Sequence, residues 1–232
     1  MTPRAPAASR AILLDALGTL VELEPPAPLL REQLAKRFGM ALSEAESQRA
    51  ITAEIAYYRA HLDEGRDAER LAALRRRCAA ALHGALPASL RSEIPDPSAL
   101  LEALLASLRF RPYADVWPAL SAYRDCGARL VVVSNWDVSL HGVLADIGLS
   151  RLLDGILTSA EAGARKPAPA IFGQALRLAG VAARDAIHIG DSVEEDVAGA
   201  RAAGIEPVLL SRGEKPGPLG VRTIATLAQP IC

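Results

Sequence analysis

Five short apolar runs, each ended by turn residues, are the sequence feature that most constrains the fold. They are rich in Val, Ile and Leu without polar alternation, the pattern of parallel strands buried on both faces. From residue 116 onward, helical stretches separate the runs. Strands alternating with helices predict a doubly wound α/β sheet of about five parallel strands. The runs are residues 12–15, 130–134, 155–158, 186–190 and 207–210.

The stretch from residue 23 to 107 interrupts this alternation with amphipathic helices and no convincing strand. We interpret it as a helical cap domain inserted after the first strand. Residues 1–22 and 108–232 then form the α/β core domain. Local boundary signals for the helices are Gly39 as a C-terminal cap and, as N-terminal caps, Ser43 with Glu46, Asp67, and Asp96 followed by Pro97.

Composition excludes several classes of protein. The chain has 232 residues and a formal net charge of -1, which offers no basic surface for nucleic acid or an anionic membrane. Its three cysteines are widely spaced, so neither a disulfide framework nor a zinc site is indicated. The first ten residues lack the apolar segment of a signal peptide and are expected to form a loose tail. We therefore expect a cytoplasmic protein that binds neither nucleic acid nor membrane, and we expect it to be a monomer or a homodimer.

Polar residues stand where three of the predicted strands end. In open α/β sheets, ligands bind beyond the carboxyl ends of the strands. Those positions here carry Asp15, Ser134 and Asp191, with Asp196 five residues further on. Mg²⁺ prefers carboxylate oxygens, so a direct Asp ligand with a second acid behind it suits this ion. A purely structural alternative has Ser192 and Glu195 capping the following helix, with the nearby acids favouring its dipole.

Two polar residues near the second and third predicted strands could bind an anion: Ser134, which ends the second strand, and Lys166, which follows the third. Lys166 stands between Arg165 and Pro167, in a chain where only three of 26 basic residues are lysines. Its ammonium can neutralise a carboxylate and a bound anion, although an ordinary loop lysine is the alternative. Ser134 and the backbone N–H groups after it can bind a phosphoryl oxygen. A polar exit from the strand would look the same.

Taken in order, these residues resemble the four motifs of the haloacid dehalogenase (HAD) superfamily. The first motif is Asp15 with Gly18-Thr19, and the insertion after it resembles the helical cap of the first subclass. The remaining motifs are Ser134-Asn135, Lys166-Pro167, and Gly190-Asp191 with Asp196. The resemblance implies a Rossmann-like core and a hydrolase that acts on a small molecule, most simply a phosphorylated metabolite.

The resemblance also implies roles for individual residues. Asp15 would be the nucleophile and would form an aspartyl intermediate, while Ser134 and Lys166 hold the phosphoryl oxygens. Mg²⁺ would be bound by Asp15, Asp191 and the backbone carbonyl of Leu17, with Asp196 supporting it from behind these ligands. The residues expected to contact substrate are Gly18, Thr19, Ser134, Asn135, Trp136 and Lys166.

Leu17 departs from the family pattern. Phosphatases of the superfamily usually carry a second Asp at this position, which protonates the leaving oxygen and then activates water. Its absence removes a general acid/base, a contribution of about 10²–10⁴-fold in rate. Three interpretations remain open: a Mg²⁺-dependent phosphatase that is weak or restricted to good leaving groups, a carbon–halogen hydrolase resembling 2-haloacid dehalogenases, and a degenerate fold kept for binding or regulation.

Two other groups of residues have alternative interpretations. Tyr57, Tyr58, Arg59 and His61 form the most polar and aromatic part of the predicted cap. They either face the substrate or pack one helix on another. His188 lies within a predicted buried strand, and we interpret it as a core histidine rather than a catalyst.

Overall fold

The computed structural model describes residues 10–94, 96–213 and 217–229. Most of the predicted loose tail and Cys232 lie outside these ranges. The chain divides into two compact units. The core unit comprises Met1–Glu22, Pro112–Trp136 and Leu140–Cys232, and the insertion unit comprises Leu23–Arg111 and Asp137–Ser139. The division into domains at residues 22/23 and 107/108 stays a prediction.

The described residues form eight strands. Six of them pair in parallel in the order β5-β4-β1-β6-β7-β8, while β2 and β3 pair with each other. The strands are β1 (Ala11–Leu14), β2 (Val21–Leu23), β3 (Phe110–Pro112), β4 (Arg129–Ser134), β5 (Gly155–Thr158), β6 (Ala186–Gly190), β7 (Glu206–Leu210) and β8 (Arg222–Ile224).

The predicted doubly wound α/β fold is confirmed, with one more strand in the sheet than expected. All five predicted strands are present, and β8 is added at one edge. β8 is only three residues long, and its first residue is an exposed arginine, so no apolar run announces it. The central strand β1 is paired on both sides, with Leu14 opposite Val132 and Ile189.

Ten α-helices lie within the described residues. They are α1 (Pro26–Phe38), α2 (Glu44–His61), α3 (Ala68–Ala85), α4 (Ala88–Glu93), α5 (Leu101–Ser107), α6 (Val116–Asp125), α7 (Leu140–Asp146), α8 (Ser159–Ala162), α9 (Pro169–Ala179) and α10 (Ala198–Ala202). In the core unit, Ile171 and Phe172 of α9 pack in one apolar cluster with Leu13, Val131 and Val133 of the sheet. This burial fixes the helix against the face of the strands that carry the polar residues.

The insertion unit is helical, as predicted, and its helices begin and end at the predicted caps. Gly39 has φ 67° and ends α1, while Ser43 and Glu46 form a reciprocal capping box at α2. Asp67 caps α3, and Asp96 caps a short 3₁₀ turn. The helices share an apolar core that includes Leu30, Leu34, Ile51, Leu74, Leu82 and Leu104. No helix in the described ranges combines the length and apolarity needed to cross a bilayer.

Several ionisable side chains are buried inside the insertion unit. Glu54 is 3% exposed, and burial raises its pKa to about 7 despite a hydrogen bond with Cys78. Burial likewise raises the pKa of Cys78 to about 12, and the Glu54 charge adds to the increase. Burial, together with the charge of Asp137, also raises the pKa of Tyr58. Cys78 and Cys126 are free thiols.

Candidate active site

Three neighbouring strands of the core sheet end at the same edge and place polar side chains there. β1 lies between β4 and β6, and all three are parallel. Asp15 follows β1, Ser134 ends β4, and Asp191 follows β6. The backbone N–H of Asp15 donates to the Ile189 carbonyl at 2.9 Å, so the pairing with β6 extends to the acid itself.

Two donors approach the same oxygen of the Asp15 carboxylate. Oδ1 accepts a hydrogen bond from the Ser134 hydroxyl at 2.9 Å and one from the Lys166 ammonium at 2.6 Å. Burial raises the pKa of Asp15, although Lys166 and Ser134 favour its charged form, and the charge of Asp196 adds to the increase. The three residues predicted to be catalytic are therefore in direct contact.

Lys166 is shared between two carboxylates. Its Nζ also donates to Oδ1 of Asp196 at 2.5 Å. Burial opposes the charge on Lys166, but the attraction of Asp15 and Asp196 outweighs it and raises the lysine pKa. Burial also opposes the charge on Asp196, and the contacts with Lys166 and His188 hold its pKa below the usual range. Lys166 is thus a buried cation with two acidic partners.

Three carboxylates converge beside this lysine. Oxygen atoms of Asp15, Asp191 and Asp196 all lie within 4.8 Å of one another. Asp191 is partly exposed, and its partial burial raises its pKa to about 6, with a contribution from the charges of Asp15 and Asp196. Three acids against one ammonium leave an excess of negative charge that a divalent cation would neutralise. Oxygen-only donors at this spacing fit Mg²⁺, so the residues present suit the ion that the sequence predicts.

Two glycines allow the acids to approach the backbone of the strand ends. Gly18 has φ +84°, a left-handed conformation, and a Cβ there would lie 2.3 Å from Oδ2 of Asp191. A Cβ at Gly190 would lie 2.1 Å from Cγ of Asp196. Any side chain at either position would displace an acid of the cluster.

Asn135 holds the segment that carries Lys166. Its Nδ2 donates to the Lys166 carbonyl at 3.0 Å, and its Oδ1 accepts from the Lys166 N–H at 2.8 Å. The Asn135 side chain also hydrogen-bonds the Glu195 carboxylate. Because the amide is engaged in this way, any substrate contact by Asn135 falls to its backbone N–H.

The segment after β6 begins with a π-helical turn, Val193–Val197, that continues into α10. Ser192 caps it as predicted, because its hydroxyl accepts from the Glu195 N–H at 3.1 Å. The second half of the predicted capping box is different. The Ser192 N–H donates to Oδ2 of Asp196 at 3.0 Å, while the Glu195 carboxylate bonds Asn135. Asp196 is thereby fixed from the backbone as well as by Lys166.

His188 lies in the core, and it also touches the site. Its ring packs edge-on against Phe172, with centroids 5.0 Å apart. Its Nε2 lies 2.8 Å from Oδ1 of Asp196, and Nδ1 is buried without a hydrogen-bond partner among the described residues. The contact with Asp196 was not predicted, since a residue inside a strand buried on both faces carries no signal of what lies beside it.

The remaining predicted site residues lie in the two segments that follow β1 and β4. Leu17 is 38% exposed, whereas Thr19 is fully buried. Trp136 is 6% exposed, and its carbonyl accepts from the Ala160 N–H at 3.2 Å. Their predicted contacts with substrate or metal stay predictions.

In the insertion unit, part of the polar and aromatic cluster packs on itself. The rings of Tyr57 and His61 stack with centroids 4.2 Å apart. This is the packing alternative for these two residues. A separate cavity of about 480 Å³ in the same unit is lined by charged side chains and contains none of the predicted site residues. Its lining includes Asp63, Glu64, Arg66, Arg70 and Arg77.

Comparison with known proteins identifies the family of the chain. Residues 9–204 match the haloacid dehalogenase-like hydrolase family. The chain belongs to this family. As a HAD-like hydrolase, it has the core expected of the group, and the helical insertion corresponds to a cap.

Individual relatives match shorter segments. The bovine (Bos taurus) haloacid dehalogenase-like hydrolase domain-containing protein 3 is 44% identical over 95 residues, which cover 41% of this chain and 38% of the relative. The glyceraldehyde 3-phosphate phosphatase of Methanopyrus kandleri is 33% identical over 126 residues, 52% of this chain and 54% of that one. The matches thus span about half or less of these curated relatives.

Solved structures match almost the whole chain. The 2-haloacid dehalogenase from Pseudomonas syringae pv. Tomato DC3000 aligns with a TM-score of 0.65 at 25% identity, over 95% of this chain and 96% of that one. A 2-haloacid dehalogenase therefore shares this architecture, while a relative named a phosphatase matches about half of the sequence, so function has to be argued from the site.

Proposed function

We propose that this HAD-like hydrolase is a Mg²⁺-dependent phosphatase that acts on a small phosphorylated metabolite. The observation that carries the proposal is the convergence of Asp15, Asp191 and Asp196 within 4.8 Å, beside the buried Lys166. A site that merely displaces halide does not need this many acids. The match to a relative named a glyceraldehyde 3-phosphate phosphatase supports the same reaction class.

The side chains act as follows in this proposal. Asp15 attacks phosphorus, so that an Asp15 O–P bond forms while the bond to the leaving oxygen breaks. Lys166 and Ser134, which already contact Oδ1 of Asp15, bind the phosphoryl oxygens and orient the nucleophile. Water then attacks the aspartyl phosphate, releasing phosphate and restoring the Asp15 carboxylate. Gly18 and the backbone of Asn135 and Trp136 complete the substrate contacts, while Thr19, which is fully buried, supports the turn behind them.

A cation would be held by Asp15, Asp191 and the Leu17 carbonyl, with Asp196 behind them. When bound, Mg²⁺ neutralises charge that would otherwise repel a phosphate dianion from three carboxylates. Asp196 accepts from Lys166, His188 and the Ser192 N–H, which keeps it charged and fixed. Cytoplasmic location and a monomeric or homodimeric state stay predictions from the sequence.

Leu17 limits the substrates that such a site hydrolyses well. No acid at this position protonates the leaving oxygen, so the oxygen leaves as an anion or takes a proton from solvent. Acyl phosphates and other compounds with good leaving groups are therefore the favoured substrates. Simple alkyl phosphates are expected to react more slowly, by about 10²–10⁴-fold.

Halide displacement is the second candidate function. Leu17 and the structural likeness to a 2-haloacid dehalogenase favour it, because a halide leaves without protonation. It ranks lower because Asp191 and Asp196 are both present. A binding or regulatory role without turnover is the third possibility.

A substrate panel separates the three. Phosphorylated metabolites, an acyl phosphate and a 2-haloacid are assayed with Mg²⁺ and with chelator, using the wild type and Asp15→Asn. Asp125→Asn, at an exposed acid of the same unit, is the control and keeps full activity. Phosphate release that needs both Mg²⁺ and Asp15 supports the proposal. Halide release in chelator would favour the second candidate, and metal binding without turnover the third.

Substitution of Leu17 by Asp tests the missing acid directly. Leu17→Asp restores a carboxyl at a position that is already 38% exposed, so the cost in stability is small. We expect kcat for alkyl phosphates to rise, by up to about 10²–10⁴-fold, and kcat for an acyl phosphate to change little. An equal effect on both substrates would contradict the assignment, since only the poor leaving group needs a proton.

A further inference from the structure

Arg212 makes an unusually complete set of contacts near the segment that follows β1. Its Nη1 donates to both oxygens of Asp115 at 3.1 and 3.0 Å. Its Nη2 donates to the Thr19 carbonyl at 2.7 Å, and Nε donates to the Gly18 carbonyl at 3.3 Å. The guanidinium also lies over the ring of Tyr113, 3.7 Å from its centroid. One side chain therefore joins two segments of the core unit that are far apart in the sequence.

The carboxylate that orients Arg212 is itself held in place. Oδ2 of Asp115 accepts from the Thr226 hydroxyl at 2.6 Å and from the Leu227 N–H at 2.8 Å. Burial opposes the charge on Asp115, but the bonds from Arg212, Thr226 and Leu227 hold its pKa below the usual range. Nη1 contacts both oxygens of this anchored carboxylate while Nη2 and Nε contact two carbonyls, so the guanidinium is held in one orientation. A lysine, with a single point of charge, would not reach the same acceptors together.

The carbonyls that Arg212 binds belong to the turn that contacts the acid cluster. Gly18 lies so close to Asp191 that a Cβ would stand 2.3 Å from its carboxylate oxygen. A shift of the turn in one direction would push Asp191, and a shift in the other would open a gap. Asp191 in turn lies within 4.8 Å of Asp15 and Asp196. The position of the turn therefore sets the geometry of the cluster.

We propose that Arg212 is a positioning residue for the cation site. By fixing the Gly18 and Thr19 carbonyls it holds the turn at the distance from Asp191 that the ion requires, without touching ion or substrate. Asp115 acts through Arg212 in the same way. The inference deepens the proposed function, because it concerns the affinity of the same site for Mg²⁺.

Mg²⁺ titration of the 232-residue chain by isothermal calorimetry tests this, because it does not depend on turnover. Arg212→Lys is expected to weaken Mg²⁺ binding by about 10- to 100-fold, the usual effect of removing a residue that orients metal ligands. Asp115→Asn is expected to show a smaller loss in the same direction. Arg201→Lys is the matched control, since Arg201 also donates to a backbone carbonyl, that of Gly220 at 2.8 Å, and keeps wild-type affinity.

The outcomes are distinguishable from those of the substrate panel. Wild-type Mg²⁺ affinity in folded Arg212→Lys would overturn the inference, as would an equal loss in the Arg201→Lys control. If Arg212→Lys does not fold, the Mg²⁺ affinity of Asp115→Asn is compared instead, and wild-type affinity in that variant would overturn the inference. A chain that binds Mg²⁺ but releases no phosphate contradicts the proposed function only. The Mg²⁺ affinities of the variants would still test the role of Arg212. A wild type that binds no Mg²⁺ contradicts both.

Discussion

A fully buried lysine among carboxylates is an arrangement that costs stability. Lys166 and Asp196 are 2% and 1% exposed, and taking such charges out of water is repaid only when every partner is well placed. Two apolar side chains of similar size at these positions would pack at least as well. Because these buried charges add little to stability, their presence is better explained by a catalytic role. This is the reason for proposing that the active site lies here.

Gly18→Ala tests whether a glycine is required at position 18 because of its close approach to Asp191 and not only because of its positive φ. The new Cβ would meet the Asp191 carboxylate, so Mg²⁺ affinity and activity are expected to fall by at least about 10-fold. Gly39→Ala is the control, because Gly39 has φ +67° and open space around its Cβ position. It is expected to lose about 1 kcal/mol of stability and no activity. Equal activity in both variants would refute the steric argument.

Glu54 makes the stability of the protein depend on pH. Its pKa lies at about 7 in the folded chain, above the ordinary 4.5, so the folded state binds more protons than the unfolded state between these values. The free energy of unfolding therefore falls as pH rises from about 4.5 to about 7 and levels off above, with a total loss of up to about 3 kcal/mol.

Denaturant titrations at pH 5 and pH 8 check this expectation. Glu54→Gln removes the titrating group, so its stability relative to the wild type should increase with pH. Glu69→Gln, at an exposed position of α3, should follow the wild type at both values. A Glu54→Gln variant whose stability relative to the wild type is the same at pH 5 and pH 8 would show that Glu54 does not titrate in this range.

At the scale of elements, local and topological signals were sufficient for much of the fold. The helix caps depend on neighbouring residues, so Gly39, Ser43 and Asp67 were predicted correctly from the sequence. The acids at the strand ends could be predicted to lie close together because the carboxyl ends of parallel strands lie at the same edge of the sheet, independently of the loop conformations. By contrast, β8 lacks an apolar run, and the contact of Arg212 with Gly18 spans 194 positions. Such contacts depend on loop conformations that no local pattern encodes.

Asn135 connects the loop that follows β4 to the loop that carries Lys166. Asn135→Ala removes both hydrogen bonds to the Lys166 backbone, so the lysine is no longer held against Asp15. We expect kcat to fall by roughly 10²-fold, because small displacements of a catalytic group have large effects. Gln174→Ala also removes a bond to a backbone carbonyl, that of Ala162 at 2.8 Å, and is expected to cost about 1 kcal/mol without loss of kcat. Similar kcat values for the two variants would contradict this role.

At the scale of the whole molecule, the acid cluster should make thermal stability depend on Mg²⁺. In chelator, Asp191→Asn relieves repulsion among three carboxylates and is expected to stabilise the protein by about 1 kcal/mol, since Asp191 is only partly buried and solvent screens the effect. With Mg²⁺ at ten times its Kd the wild type gains about 1.4 kcal/mol, which the variant lacks. Melting temperatures should therefore change order between the two conditions. A wild type indifferent to Mg²⁺ would rule out the site.

The insertion unit includes residues 137–139, a short piece of chain that follows Ser134, Asn135 and Trp136 of the core unit. The Val138 N–H donates to the Gly65 carbonyl at 3.0 Å, and Asp137 lies against Gly65 and Tyr58. A chimaera that exchanges residues 23–111 alone would thus separate this tripeptide from its partners. Transplantation of the cap between relatives therefore requires both segments, although the shorter one closely follows the predicted catalytic residue Ser134 in the sequence.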